Sequence, residues 1–146
     1  MKNMQIRFKK LSPEAVAPKQ GTPGSAGFDL TAISMRFDDR YHVWEYGTGI
    51  AVEIPKGYVG LVFPRSSVYK TGQLLSNSVG VIDSDYRGDI RAKFYSQKRK
   101  GGQLPYRIGD RICQLVIVPI PDVDFVESDE LSSTERGTGG YGSTGK

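Results

Sequence analysis

Apolar and polar side chains alternate in short runs along this chain, and glycine or proline interrupts those runs about every ten residues. Nowhere do apolar residues recur at three-and-four spacing through a window long enough for a substantial helix, so the pattern predicts an all-β chain. Ile50, Val52 and Ile54 alternate with Ala51 and Glu53, and Pro55, Lys56 and Gly57 then turn the chain into Tyr58 to Phe63, which predicts a hairpin. Ile90, Ala92 and Phe94 alternate with Arg91, Lys93 and Tyr95, as in a strand with one wet face. The nearly continuous apolar run from Ile112 to Val118 predicts a strand covered on both sides. At the start, Met4, Ile6 and Phe8 alternate with Gln5, Arg7 and Lys9, so Met1 to Lys10 reads as a strand and not as a signal peptide. Many short strands with regular turns predict a sandwich or barrel whose edges are hidden by packing or closure.

Composition narrows the class. The 146 residues suit one domain, and 38% hydrophobic with 25% charged side chains is too apolar for a disordered chain and too interrupted for a membrane span. The single cysteine, Cys113, has no internal disulfide partner, and its neighbours Ile112 and Leu115 predict a buried thiol. This points to the cytoplasm, or to the nucleus for a eukaryotic or viral source. With His42 as the one histidine, the usual zinc sites are excluded and any metal must rest on oxygen ligands. The net charge of +4 suits an anionic partner without saying which. The run Lys98, Arg99, Lys100 before Gly101 and Gly102 reads as a solvated hairpin turn and not a nucleic-acid patch, because no aromatics interleave it.

Candidate chemistry falls in five segments. Asn77 to Ile90 reads as an apolar strand, a polar turn and an alternating strand. A hairpin whose turn happens to carry acids is one explanation. A nucleoside pocket is the other: the backbone of Gly80, Val81 and Ile82 can read a base edge, Tyr86 offers a flat face for a sugar, and Asp83 supplies a carboxylate. Two further segments, Ala26 to Leu30 with Asp29, and Pro64 with Arg65, Ser66 and Ser67, are each weak alone, since an aspartate at a strand start is usually a turn or cap residue and an arginine followed by serines is usually a surface loop. In the fourth, Gly109 to Leu115, Gln114 interrupts a strand that otherwise looks buried, so its amide needs either a backbone mate or a ligand. Asp110 and Arg111 beside it read as ion-pair or turn residues.

The fifth segment runs from Arg136 to Lys146. Gly140, Gly145 and Lys146 nearly match a P-loop, but the following Ser or Thr and the helix that aims its amides are missing. Glycine-rich backbone with Arg136, Gly142, Ser143 and Thr144 still offers the donors that a triphosphate takes, and Tyr141 adds an aromatic face. From Asp122 the chain is acidic and polar and has little with which to build a core; its first 14 or so residues, extended, reach up to roughly 45 Å, far enough to meet another subunit.

All five segments, in this order and at these spacings, resemble the five motifs of the homotrimeric dUTP diphosphatase (dUTPase) family. The resemblance covers nearly the whole chain. It implies a jelly-roll-like β-barrel over residues 1–121, a homotrimer with shared active sites, and a C-terminal arm over 122–146 that closes on a neighbour. It also implies hydrolysis of dUTP to dUMP and pyrophosphate, which limits uracil incorporation into DNA and supplies dUMP for dTMP synthesis. Asp83 then activates the attacking water, and Tyr86 stacks on deoxyribose. Asn77 and the backbone after it read uracil, whose O4 accepts where cytosine donates, a mismatch worth around 10⁴-fold in a desolvated site. Arg65, Ser66, Ser67 and Gln114 hold phosphates, and Asp29 touches the water shell of a phosphate-held Mg²⁺. From the arm, Arg136, Gly142, Ser143 and Thr144 take the terminal phosphate and Tyr141 covers the base. No membrane or stable nucleic-acid partner is implied.

Ser67 stands where that family often has glycine, and Tyr141 where it often has phenylalanine. Two other readings share the scaffold: a zinc-free dCTP deaminase, and a nucleotide-sensing or protein-binding module without catalysis. Asp83 beside a Tyr86 shield argues for water attack at phosphorus over the first, and the complete set of base, clamp and arm argues against the second.

Overall fold

The computed structural model describes residues 4–96 and 105–143. Eleven short strands carry the fold: β1 (Arg7–Lys10), β2 (Lys19–Gln20), β3 (Phe28–Thr31), β4 (Ser34–Asp38), β5 (Val43–Gly47), β6 (Ile50–Glu53), β7 (Tyr58–Pro64), β8 (Gln73–Leu75), β9 (Gly80–Ile82), β10 (Arg91–Ser96) and β11 (Arg111–Pro119). A single 3-10 turn, Ser66–Lys70, is the helical element among the described residues, and none there is long and apolar enough to cross a membrane. The expected all-β class holds.

The strands form a five-stranded sheet (β2-β3-β11-β7-β9), a four-stranded sheet (β4-β5-β10-β8) and the pair β1-β6. From β7 to β11 successive strands alternate between the two larger sheets, which makes the fold jelly-roll-like, but the ladders among the described residues leave three separate sheets and not one closed ring. β11 is the centre of the larger sheet, flanked by β3 and β7, and its residues Ile112, Cys113 and Leu115 are buried, as the apolar run requires. Burial pushes the Cys113 thiol up to about 12, with the Asp29 charge adding to the shift, so it is an inert core group. β10 alternates as its sequence predicts, with Ala92 and Phe94 inside and Arg91, Lys93 and Tyr95 outside.

Two expected hairpins are corrected. β6 and β7 are joined by a turn, in which Tyr58 N–H donates to the Pro55 carbonyl at 3.2 Å, but they do not pair. β6 takes the N-terminal strand β1 as its partner, while β7 lies between β11 and β9. The turn carries the chain from one layer to the other; Ile54 packs so closely over Gly60 that a Cβ there would lie 2.7 Å from its Cδ1. The stretch from Asn77 to Ile90 is likewise no hairpin, because β9 joins the larger sheet and β10 the smaller. It crosses between sheets, and its turn residues therefore face a cleft. The Lys98–Gly102 turn lies outside the described residues.

The core holds one polar knot. Tyr46, Phe94 and Tyr106 meet edge to face at centroid distances of 5.5 to 6.1 Å. Gln73, also buried, donates from Nε2 to the Tyr46 hydroxyl (3.1 Å) and accepts the Tyr106 N–H on Oε1 (3.1 Å), while the Tyr46 hydroxyl donates to the Tyr106 carbonyl (3.1 Å). Burial raises the Tyr46 phenol to about 12, against the opposing pull of Gln73. On the outer face of the smaller sheet, Glu45 receives Arg91, Lys93 and Arg36 at 2.9, 3.2 and 3.4 Å. Burial pushes the Glu45 carboxyl up, but hydrogen bonds and charge from Lys93, Arg91 and Arg36 outweigh it and hold the group below its ordinary value.

Gln73→Leu should destabilise the protein by about 1–3 kcal/mol although leucine is apolar, because it strands the buried Tyr106 N–H and takes from the Tyr46 hydroxyl one of its two partners; urea unfolding measures this. A depressed carboxyl stabilises the folded state above its unfolded pKa and loses that contribution as pH falls through the folded one. Acid unfolding of Glu45→Gln should therefore show lower stability at neutral pH and a gap to the parent that closes below the usual carboxylate range.

Candidate active site

The edge strand β9 forms one wall of a cleft. Among the described residues it pairs only with β7, through Ile82↔Gly60, Val81↔Leu61 and Gly80↔Val62, so its outer backbone groups have no sheet partner there. Ahead of it, Ser78 adopts a left-handed φ of 61° and turns Asn77 toward Gly80. Behind it, Tyr86 N–H donates to the Asp83 carbonyl at 3.1 Å, closing a turn that projects both side chains. Asn77, Gly80, Val81, Ile82, Asp83 and Tyr86 thereby line one cleft of about 280 Å³. Among the described residues no side chain hydrogen-bonds or pairs with the Asp83 carboxylate, which faces solvent. It is available as a base.

The same cleft is lined by Asp89 and Arg91, which the sequence reading passed over. Gly88 is the signal that could have exposed them: a Cβ there would sit 2.4 Å from the Tyr86 hydroxyl, so the ring needs a glycine two residues on.

A second group forms where β3, β11 and β7 lie side by side. Gln114 faces Asp29 on one flank and Phe63 on the other, just before Arg65. Asp29 accepts Arg65 Nε on one oxygen (2.8 Å) and Arg111 Nη1 on the other (3.0 Å). Its side chain is only 13% exposed, so it orients two guanidiniums whose remaining N–H groups stay available. Gln114 has the backbone mate its burial demanded: Nε2 donates to the Pro64 carbonyl at 3.2 Å, leaving a second amide hydrogen unused. Gly27 makes room for it, since a Cβ there would lie 2.6 Å from Gln114 Oε1. Arg65 and Ser67 open onto a cleft of about 460 Å³ shared with Lys70, Arg107 and Arg111, and Ser66 beside them is exposed. Arg111 is the ion-pair residue it was taken for, and Asp110 is the turn residue, accepting Arg107 N–H at 2.7 Å.

Within one chain these groups do not meet in one cleft, and the arm joins neither. Arg136 Nε donates to the Gly139 carbonyl in the arm's own turn (2.9 Å), and Tyr141 (φ 44°), Gly142 and Ser143 are exposed. Thr144 lies outside the described residues. Beyond β11 the described arm has no strand or helix, and Val123, Phe125, Val126 and Leu131 are 68%, 100%, 84% and 89% exposed. Among the described residues no group of three or more His, Cys, Asp or Glu side chains is placed to hold a metal.

Comparison with known proteins agrees with this geometry. The dUTPase family model matches residues 13–145. The chain is 40% identical to a deoxyuridine 5'-triphosphate nucleotidohydrolase of Nautilia profundicola over 98% of its length and 100% of that protein's. It is 43% identical to the enzyme of the same name from Corynebacterium glutamicum, over 97% and 95% of the two chains. The fold superposes with a TM-score of 0.80, at 26% identity and over 99% and 100% of the chains, on a Staphylococcus bacteriophage 80alpha dUTPase G164S mutant with dUpNHpp. A jelly-roll-like chain with its carboxylate at the exit of an edge strand, matched along almost its entire length, belongs to the dUTPase family.

Proposed function

We propose that this protein hydrolyses dUTP to dUMP and pyrophosphate at a site built from several copies of the chain. The observation that carries the reading is the cleft beside β9, where an unpaired strand edge, the Tyr86 ring and an uncommitted Asp83 carboxylate converge. An edge strand offers fixed N–H and C=O groups at strand spacing, which is what reading the polar edge of uracil takes. Gly80, Val81 and Ile82 supply that backbone and Asn77 adds a side-chain amide. Tyr86 covers the deoxyribose face and leaves no space for a 2′-hydroxyl.

Asp83 takes a proton from water as the oxygen attacks the α-phosphorus. A new oxygen–phosphorus bond forms, the bond from the α-phosphorus to the bridging oxygen breaks, and pyrophosphate departs with the electron pair. Arg65, Ser66, Ser67 and Gln114 hold the phosphate chain, using donors that Asp29 and the Pro64 carbonyl leave free. This fixes the line of attack. Arginine-rich walls without a carboxylate cage fit a Mg²⁺ that would be held mainly by the substrate's phosphates, with Asp29 as the residue that would contribute through water. Bound there, the ion neutralises phosphate charge.

Residues 1–121 act as the catalytic barrel and 122–146 as an arm. The apolar side chains of the arm are bare in one chain and gain cover only by docking elsewhere, which supports a homotrimer with shared sites. On arrival Arg136, Gly142, Ser143 and Thr144 take the terminal phosphate, Tyr141 closes over the base, and water is expelled.

Pyrophosphate release from dUTP, dCTP, dTTP and UTP tests the reading: dUTP alone should turn over fast, whereas ammonia release from dCTP would replace hydrolysis by deamination. Asp83→Asn should cut turnover by roughly 10²–10⁴-fold and leave calorimetric dUTP binding largely intact. Removal of residues from Arg136 onward should leave a folded trimer by sedimentation with little turnover; loss of assembly would make the arm structural.

A further inference from the structure

The Tyr86 wall is held from behind by one residue. Its hydroxyl donates to the Asp89 carbonyl at 3.0 Å, and its ring lies against Gly88 so closely that a Cβ there would sit 2.4 to 2.9 Å from the hydroxyl, Cζ and Cε2. The ring therefore follows the Gly88–Asp89 peptide. That peptide is anchored in turn by the Asp89 carboxylate, 18% exposed. Oδ1 accepts the Gly49 N–H at 2.7 Å, with the Thr48 hydroxyl oxygen 3.4 Å away, and Oδ2 accepts Arg91 Nε at 3.1 Å.

The anchor points are themselves rigid. Thr48 is fully buried and donates to the Ile90 carbonyl at 2.8 Å. Gly49 has a left-handed φ of 66°, which aims its N–H at the carboxylate, and a Cβ there would meet Ile33 Cδ1 at 2.6 Å. Ile90 N–H donates to the Ile50 carbonyl at 2.9 Å, tying the following residue to β6. Arg91 reaches on to Glu45 at 2.9 Å. A hydrogen bond from a backbone N–H to a charged acceptor in a partly dry site is among the stronger ones available.

We propose that Asp89 is a positioning residue for sugar discrimination: it locks the backbone to which the Tyr86 hydroxyl is tied, and so sets the gap between ring and sugar that admits deoxyribose and refuses ribose. The inference rests on the reading of this cleft as a deoxyuridine nucleotide site. A single oxygen atom separates the two sugars, so a loosened wall loses the distinction before it loses the reaction.

The test compares kcat/KM for dUTP and UTP in the full-length protein and in Asp89→Ala, Asp89→Asn and Tyr86→Phe. Asp89→Ala should lower the dUTP preference by roughly tenfold or more, chiefly by improving UTP. Asp89→Asn should restore most of it, because the amide oxygen still accepts the Gly49 N–H. Tyr86→Phe combined with Asp89→Ala should cost no more discrimination than either alone, since both cut the same tether. A preference that stays at the parental value in Asp89→Ala, or additive losses in the double variant, overturns the inference. Calorimetric titration with dUMP and UMP reads the same discrimination without turnover. A parent protein that releases no pyrophosphate from dUTP refutes the hydrolase reading, whereas an unchanged dUMP-to-UMP affinity ratio in Asp89→Ala refutes the role of Asp89.

Discussion

Among the described residues β9 has a neighbour on one side only. It hydrogen-bonds to β7, and its outer row of N–H and C=O groups meets no further strand. An uncovered edge is a hazard that folded proteins blunt or use. Here the edge is three residues long, is entered through a left-handed Ser78, and is left through the turn that presents Asp83 and Tyr86. The brevity limits pairing with other chains, and the turn at its end puts a carboxylate and an aromatic face beside the exposed backbone. The remaining site depends on that arrangement, because base, sugar and attacking water have to be addressed from one fixed edge.

The two halves of the chemistry sit on different physical footings. The cleft proposed for the nucleoside offers strand-edge backbone and a ring wall, so on that reading its selectivity is steric. The residues proposed to hold the phosphates offer charge: Asp29 ties down one N–H of Arg65 and one of Arg111 and leaves the other guanidinium donors for the proposed oxyanion. A bidentate anchor of this kind orients a guanidinium without neutralising its reach. The arm, with its bare Phe125 and Leu131, belongs to neither half until it is covered.

Much of this was legible in the order of residues. Alternation gave away β10, and the continuous apolar run gave away β11, because both strands follow local burial. Asp83, Tyr86 and Asn77 stood out since they fall within ten residues, and the structure places them in one cleft. Partner choice was not legible. The turn at Pro55 to Gly57 marks where the chain reverses, but β6 finds its partner in β1, more than forty residues earlier, through contacts that no local pattern encodes. For the same reason the buried Gln73, bonded to Tyr46 and Tyr106, gave no signal in its own neighbourhood. Asp89 was hidden too, since its acceptor role depends on Gly49, forty positions away.

The central claim is that water activated by Asp83 adds to the α-phosphorus of dUTP. The most direct measurement is hydrolysis in 18O-labelled water, followed by mass analysis of both products. One labelled oxygen is expected in dUMP and none in pyrophosphate. Label in pyrophosphate, or release of orthophosphate in its place, would contradict it.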